Sequence, residues 1–183
     1  MSIEIEYIKS TELTSTHQAA LVVLNNECFG DVSQTSIDED FIAEPIAYIF
    51  AKNDGVIIAR LAVFKRKVVF NNRDIILGGM GGVCVTENMR HKGVASMMLK
   101  QGLEILKSEK CDIACLNVDL DKKIYSVYEK LGFMMMPREI SFENVNGEIV
   151  KELGTMFIPV CSSEIYDLVM NSSTTFHYGK GYW

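Results

Sequence analysis

An apolar strand that passes through a short polar turn directly into a helix is the feature that most constrains this chain. Residues 83–95 read VCVTENMRHKGVA, and the turn carries the pattern Arg-x-x-Gly-x-Ala at Arg90, Gly93 and Ala95. This arrangement aims several main-chain N–H groups and the positive end of a helix at one point. Gly93 lets a ligand approach the backbone closely, and Ala95 keeps the first helical turn slim. The stretch therefore predicts a phosphate or pyrophosphate site.

Charge is distributed unevenly along the chain, although the net charge is only −6. Residues 45–110 contain eleven basic and five acidic side chains, whereas residues 1–44 contain nine acidic side chains and one basic. The basic segment includes the predicted phosphate turn. The acidic segment suits a cationic ligand, or it is simply a solvated face. The overall acidity argues against nucleic acid as the main partner.

Length and composition predict a single domain spanning residues 1–183, because 183 residues with 48% apolar content suffice for one sizeable core. Apolar runs are too short to cross a membrane, and the start of the chain is unlike a signal peptide. We therefore expect a cytoplasmic protein without a membrane partner. The three histidines lack metal-ligand spacing, so we expect no metal.

The cysteines form no CxxC pair and are predicted to be reduced and mostly buried; they are Cys28, Cys84, Cys111, Cys115 and Cys161.

Hydrophobic periodicity predicts an α+β fold with a mixed, mostly antiparallel central sheet flanked by helices. Antiparallel strands come first, and helices alternate with strands later in the chain. The tail from Thr174 to Trp183 is predicted to be irregular. The predicted strands lie near residues 3–7, 47–51, 56–70, 75–86, 112–118, 133–136, 140–142 and 155–160, and the predicted helices near 15–29, 92–109, 121–131 and 163–170.

A glycine-rich run, GGMGG at residues 78–82, lies inside a predicted strand. It is neither a dinucleotide-binding fingerprint nor a Walker A loop, because those glycines lie between a strand and a helix. Glycines within a strand indicate a bulge, tight packing against a neighbouring element, or close approach of a ligand. The ligand alternative gains weight because the same strand leads into the phosphate turn.

Residues 83–95, together with YEKLGF at residues 128–133, resemble the GNAT superfamily of acetyl-CoA-dependent N-acetyltransferases. The resemblance implies a GNAT-like fold that uses acetyl-CoA, and a strand whose backbone pairs with the pantetheine arm at Val83, Cys84 and Val85. It also implies that a main-chain N–H near Val85 polarises the thioester carbonyl. The pyrophosphate is expected on the main chain of Arg90, His91, Lys92, Gly93, Val94 and Ala95, with positive charge from the first three.

The same resemblance implies that Tyr128 is the catalytic acid, because this tyrosine stands four residues before Gly132-Phe133. A phenol with a pKa near 10 can donate a proton to the sulfur as negative charge develops there. The alternative is a helical tyrosine that only packs. Tyr125, one turn earlier, is predicted to be a packing residue.

A closer resemblance, to the aminoglycoside 2′-N-acetyltransferases, spans nearly the whole chain. It rests on CFGD at residues 28–31, GVIIARLAV at 55–63, GTMFIP at 154–159 and the final GYW. This resemblance implies an antibiotic amine as acceptor. It places the following residues at the acceptor site: Asp31, Gly81, Glu152 and Trp183.

Three of the matching positions lack an acid that the aminoglycoside branch carries, because Gly81, Gly181 and Ser36 stand where carboxylates are expected. Loss of these charges weakens binding of a polycation, since a charge-assisted hydrogen bond contributes about 1.5–3 kcal/mol. The expected acceptor is therefore a smaller or less charged amine. Candidates for the base are Glu87, Asp31 and the Trp183 carboxylate, acting through water.

The sequence thus predicts an N-acetyltransferase that moves an acetyl group to a small-molecule primary amine by direct attack in a ternary complex. A protein or peptide N-acetyltransferase with an open acceptor groove is one alternative. A non-catalytic sensor that binds acyl-CoA is another. A homodimer is expected from the family resemblance alone.

Overall fold

A computed structural model describes residues 2–30, 32, 38–120 and 124–183. The strands are β1 (Ile3–Lys9), β2 (Ala47–Asn53), β3 (Val56–Phe70), β4 (Arg73–Val85), β5 (Ile113–Asn117), β6 (Met134–Met135), β7 (Ile140–Glu143), β8 (Ile149–Glu152), β9 (Thr155–Pro159) and β10 (Phe176–Lys180). The α-helices are α1 (Ser15–Phe29), α2 (Val94–Ser108), α3 (Ser126–Glu129) and α4 (Ser163–Asn171). Within the described ranges, every helix is too short or too polar to cross a membrane.

Seven strands form the main sheet in the order β1-β2-β3-β4-β5-β9-β6. All neighbours in this sheet are antiparallel except β4 and β5, which are parallel. A smaller sheet has the order β10-β7-β8. The predicted α+β class with a mixed, mostly antiparallel sheet is confirmed.

The turn between β2 and β3 follows from the local sequence. Asp54 and Gly55 both adopt left-handed backbone conformations, with φ of 50° and 78°. An Asp-Gly pair favours this turn, whose twist matches that of the flanking strands. The strand that follows is rich in β-branched residues and buries most of its length.

The two faces of the main sheet carry separate parts of the core. Helix α2 packs on one face, where Met98 and Leu99 meet Leu61 and Met80. On the opposite face the side chains of Phe64 and other apolar residues of the sheet pack with α4 and β10. Helix α1 lies on this second face as well, because its His17 stacks on Phe50 of β2. The sheet therefore separates the apolar cluster under α2 from the one that α4 and β10 cover.

The aromatic tail is ordered, which corrects the prediction of an irregular segment. Residues Phe176–Lys180 form β10, which pairs in parallel with β7 through Phe176 and Ile140. The main-chain N–H groups of Gly181 and Tyr182 then donate to carbonyls of Glu143 and Asp40. The partner strand lies more than thirty residues away in sequence, so the pairing left no local signal.

The helix that carries Tyr128 is shorter than the predicted 121–131. Helix α3 spans Ser126–Glu129, and residues 121–123 lie outside the described part. Its end tightens into i to i−3 hydrogen bonds, from Leu131 N to Tyr128 O and from Gly132 N to Glu129 O, both 2.9 Å. Gly132 follows with a φ of 98°, which is the left-handed conformation that favours glycine.

A disulfide joins Cys28, at the end of α1, to Cys84 in β4, which corrects the prediction that all five cysteines are reduced. Cys111, Cys115 and Cys161 are free, and the first two are buried. The paired cysteines are 56 residues apart in sequence, and only the packing of α1 against β4 brings them together. Spacing along the chain therefore gave no sign of the bond.

Cys28→Ser is expected to lower the free energy of unfolding by about 2–4 kcal/mol, because the bond restricts the unfolded chain. Urea unfolding with and without a reductant measures the effect, and Cys161→Ser, which changes a free and exposed thiol, is the control. Alkylation of the unfolded, unreduced chain should label three cysteines. Labelling of all five would contradict the disulfide.

Candidate functional site

The two parallel strands in the middle of the main sheet separate partway along their length. Strand β5 pairs with β4 only through Leu77, Gly78 and Gly79 of β4. Beyond Gly79, β4 continues to Val85 without a strand partner on that side within the described structure. The separation leaves a gap between the strands, with the main-chain edge of β4 available to a ligand.

A β-bulge lies on β4 beside this gap. Arg60 of β3 pairs with Cys84, but Ala62 pairs with Gly81, so β4 contains one extra residue between these positions. Gly82 lies in the extra segment with a φ of 56°. A bulge leaves one residue unpaired and bends the strand, and such bulges are common next to active sites.

The glycine run in β4 makes room for neighbouring side chains, as the packing alternative predicted. A Cβ on Gly79 would collide with the indole of Trp183, and one on Gly81 would lie 2.9 Å from the main-chain carbon of that residue. A Cβ on Gly78 would lie 2.9 Å from the side chain of Leu106 in α2. The glycines therefore let Trp183 lie directly on β4.

Trp183 forms a wall of the gap and is held from several sides. Its ring stacks on Phe64 and Tyr178, with centroids 5.3 and 4.8 Å apart. The guanidinium of Arg66 lies 4.3 Å above the same ring. Asn117, the last residue of β5, donates from Nδ2 to the main-chain oxygen of Trp183 at 2.9 Å. The indole thus occupies a fixed position between β4 and β5.

Arg66 fixes the tail, and sequence reasoning missed it. Its Nη1 donates to the carbonyl oxygens of Tyr178, Lys180 and Gly181 at 3.0, 2.7 and 3.1 Å. Burial lowers the pKa of Arg66 below its usual range. The residue stands in a run of three basic side chains at positions 65–67, a pattern typical of a solvated face.

Asn117 connects three elements at the end of the gap, and it too was missed. Its Oδ1 accepts hydrogen bonds from Thr155 Oγ1 at 2.8 Å and from the Tyr178 hydroxyl at 3.1 Å. Because its Nδ2 holds Trp183, one amide links β5, β9, β10 and the tail. A single polar residue at a strand end gave no sequence signal for this role.

Tyr128 lies with the core on the α2 face, opposite Trp183. Its side chain is 6% exposed and meets Phe133 edge-on, with ring centroids 6.5 Å apart. Burial raises the pKa of Tyr128 to about 12. Tyr125, predicted to be a packing residue, is 37% exposed instead.

The predicted phosphate turn has the expected backbone geometry. Gly93 is the N-cap of α2, with a left-handed φ of 80°, and it makes no side-chain capping hydrogen bond. The first N–H groups of α2, starting at Val94, therefore remain available to an anion. A Cβ on Gly93 would meet nothing within 4 Å, so the backbone conformation, rather than crowding, requires glycine.

The basic side chains of the turn fold back onto it. Arg90 Nε donates to the carbonyl oxygen of Val85 at 3.0 Å, and Lys92 Nζ donates to that of Asn88 at 2.8 Å. His91 is exposed and has a φ of 61°. These contacts stabilise the turn and keep the positive charges near the start of α2. The main-chain N–H groups there remain available to bind an anion directly.

The remaining predicted cofactor residues, in β4, offer only main chain or apolar surface. The side chain of Cys84 is committed to the disulfide, so this residue can contact a ligand only through its backbone. Val83 is half-buried, and Val85 is 9% exposed. An unpaired main-chain edge with apolar side chains suits an extended ligand arm with amide groups.

The predicted carboxylate side chains that the structure describes, Glu152 and Glu87, lie on separate elements. Asp31 lies outside the described residues. Glu152 is exposed at the end of β8 in the smaller sheet, where burial and the charges of Asp40 and Glu139 raise its pKa. Glu87 is exposed, and its main-chain N–H donates to the side chain of Glu27 at 2.8 Å. Of the predicted acceptor residues, the structure brings together Gly81 and Trp183.

The fold corresponds to that of known proteins. Residues 9–136 match the family described as Acetyltransferase (GNAT) domain. The chain also resembles the crystal structure of Escherichia coli ElaA, with a TM-score of 0.61 and 17% identity, covering 85% of this chain and 99% of that one. A comparison with curated protein sequences found no match.

Two further crystal structures share the fold at low sequence identity. The ribosomal-protein-S18-alanine N-acetyltransferase from Escherichia coli has a TM-score of 0.57 and 14% identity, covering 88% of this chain and 96% of that one. The GCN5-related N-acetyltransferase from Kribbella flavida has a TM-score of 0.57 and 15% identity over 77% of this chain. This chain spans 36% of the Kribbella protein, about a third of its length.

Gly79→Ala is expected to lower the free energy of unfolding by about 1–3 kcal/mol, because the new methyl group overpacks the Trp183 site. Chemical denaturation measures the change. In a Trp183→Leu background the same substitution should cost less than about 1 kcal/mol, since the colliding ring is gone. An equal loss in both backgrounds would contradict the packing role of the glycine.

Proposed function

Because this chain belongs to the GNAT acetyltransferase family, we propose that it transfers the acetyl group of acetyl-CoA to a primary amine of a small molecule. The chain is a GNAT-type acyltransferase; the acceptor and the residue roles are the proposal. The observation that carries it is the gap between β4 and β5, with a bulge on one strand, Tyr128 on one face and Trp183 on the other.

The donor set of the chain fits acetyl-CoA. The N-terminus of α2 offers main-chain N–H groups without a side-chain cap, which suits a pyrophosphate. The free edge of β4 offers main-chain partners for the amides of a pantetheine arm. We assign the pyrophosphate to residues 90–95 and the arm to residues 83–85. When bound, acetyl-CoA supplies the acetyl group as a thioester, which the acceptor amine attacks directly.

A main-chain N–H of β4 near Val85 is assigned to the carbonyl oxygen of the acetyl group. Such a donor is fixed in place before the reaction, so it stabilises the negative charge that develops on the oxygen in the transition state. The bulge at Gly82 supports this role, because it frees β4 from regular pairing at this point.

Tyr128 is assigned as the acid that protonates the departing thiolate. Its raised pKa, about 12, keeps the phenol protonated at neutral pH. Burial is the cause of this shift. The apolar surroundings, with Phe133 against the ring, limit access of water to the same proton.

The acceptor is assigned to the opposite face, where Trp183 and Phe64 stack beside Gly81. The ordered tail narrows this side of the gap, which favours a small molecule over the open groove that a protein acceptor needs. Glycine at position 81 supplies no carboxylate side chain, so the amine is expected to pass its proton through water to another base. Glu87, Asp31 and a Trp183 carboxylate stay predictions for the base, as do the homodimer and the cytoplasmic location.

Tyr128→Phe is expected to lower kcat by about 100- to 10,000-fold, because it removes the acid and keeps the ring. The measurement is thiol release from acetyl-CoA with a panel of amines that includes polyamines, amino acids, peptides and aminoglycosides. Acetyl-CoA binding, followed by calorimetry, should change little. Tyr125→Phe is the matched control, since it removes an exposed hydroxyl from the same segment.

Unchanged turnover in Tyr128→Phe would remove Tyr128 from the mechanism. Turnover with peptides alone would show that the acceptor is a peptide and not a small molecule. Binding of acetyl-CoA without turnover of any amine would favour a non-catalytic sensor over an enzyme.

A further inference from the structure

Arg60 of β3 is a buried cation whose contacts among the described residues are neutral. Only 9% of Arg60 is exposed to solvent, and its Nη2 donates to Oδ1 of Asn25 in α1. The guanidinium carbon lies 5.2 Å from the centroid of the Phe29 ring. Its Nε is buried and has no hydrogen-bond partner among the described residues. A buried charge is unfavourable unless it is paired, and the described part of the chain supplies no counter-charge to Arg60.

The other cations of the same strand are satisfied by the protein itself. Arg66 donates to three carbonyl oxygens of the tail. Lys65 pairs with Glu109 at 2.7 Å, and Lys67 pairs with Asp74 at 2.6 Å. Arg60 differs from them because it is deeply buried and its described contacts are an amide, an aromatic ring and the backbone.

Arg60 lies against the β4 bulge, which borders the gap between β4 and β5. It pairs across the sheet with Cys84, at the edge of the β4 bulge, and a Cβ on Gly82 would collide with its guanidinium. Glycine at 82 therefore lets the guanidinium lie against the bulged main chain. Side chains two residues apart in a strand share a face, so Arg60 lies on the face of Ala62 and Phe64, where Trp183 packs.

We propose that Arg60 binds a carboxylate of the acceptor, so that the acceptor is an amino carboxylic acid. This inference rests on the proposed function, and it names the substrate class of the same site. Arg60 and the main chain assigned to the acetyl group meet at the bulge. The acceptor must therefore place its amine at the acetyl group and its carboxylate at Arg60 at the same time. This requires the amine and the carboxylate to be only a few bonds apart, as in an α-amino acid.

The chemistry of the gap supports this class over a polycation. Burial lowers the pKa of Arg60 only to about 10, so the guanidinium is charged at neutral pH. It forms paired, planar hydrogen bonds with a carboxylate. A fixed positive charge repels a multiply charged amine, and Gly81 offers no acid to offset it.

The test compares acetylation of the common L-amino acids with that of the matching L-amino acid amides, which keep the amine and lose the charge. For at least one side chain, wild-type kcat/KM should be at least about 30-fold higher for the acid than for the amide. The measurement is thiol release from acetyl-CoA, together with calorimetric binding of the corresponding N-acetyl amino acid, which needs no turnover.

Arg60→Gln should abolish this preference, so that kcat/KM for the acid no longer exceeds kcat/KM for the amide. Arg60→Lys should retain part of the preference, because it keeps the charge and loses the planar pair of donors. Arg73→Gln is the matched control, since Arg73 is exposed and pairs with Glu164 on the surface. Thermal melting checks that each variant is folded.

Equal acetylation of acids and amides by the wild type would overturn the inference while leaving the proposed function intact. A preference for acids that survives in Arg60→Gln would remove Arg60 from carboxylate binding. If nothing is acetylated, the proposed function fails, and binding of the N-acetyl amino acid by wild type but not by Arg60→Gln would still support the carboxylate site. If Arg60→Gln does not fold, the wild-type comparison decides alone.

Discussion

The packing of Trp183 against the glycines of β4 is the contact on which the rest of the site depends. A side chain at Gly79 or Gly81 would occupy the space of the indole. With glycine there, the ring packs against the strand and Arg66 lies over it, while Asn117 at the end of β5 binds the main chain of Trp183. The gap between two parallel strands thus has a rigid wall, and the edge of β4 stays open beyond it.

The main sheet separates the two halves of the proposed chemistry. Tyr128 lies in an apolar environment on the α2 face, which keeps its proton on the phenol at neutral pH. The opposite face carries Trp183 and the buried guanidinium of Arg60. An acceptor and a proton donor that approach one thioester from opposite sides do not compete for space. The disulfide between Cys28 and Cys84 ties α1 to this strand at the residue that pairs with Arg60.

Features set by local backbone preferences were predictable from the sequence. Asp54-Gly55 specified a hairpin, and Gly93 specified the left-handed N-cap that opens α2, because few other residues adopt these conformations cheaply. Features set by contacts between distant segments were not. The disulfide, β10 and the role of Arg66 each depend on chain segments that meet only in the folded state, and Arg60 looked like one charge in an apolar run. The glycine run lay between these cases, since its place in a strand indicated close packing but not the ring that fills the space.

Hydrogen exchange with and without CoA tests the central claim, that the open edge of β4 and the start of α2 form one site for the donor. Saturating CoA should slow exchange in peptides covering residues 80–97, because main-chain N–H groups there gain partners. Peptides from β1 and β2, at the far edge of the sheet, should exchange as before. Unchanged exchange over residues 80–97 at saturating CoA, or protection confined to another part of the chain, would contradict the account.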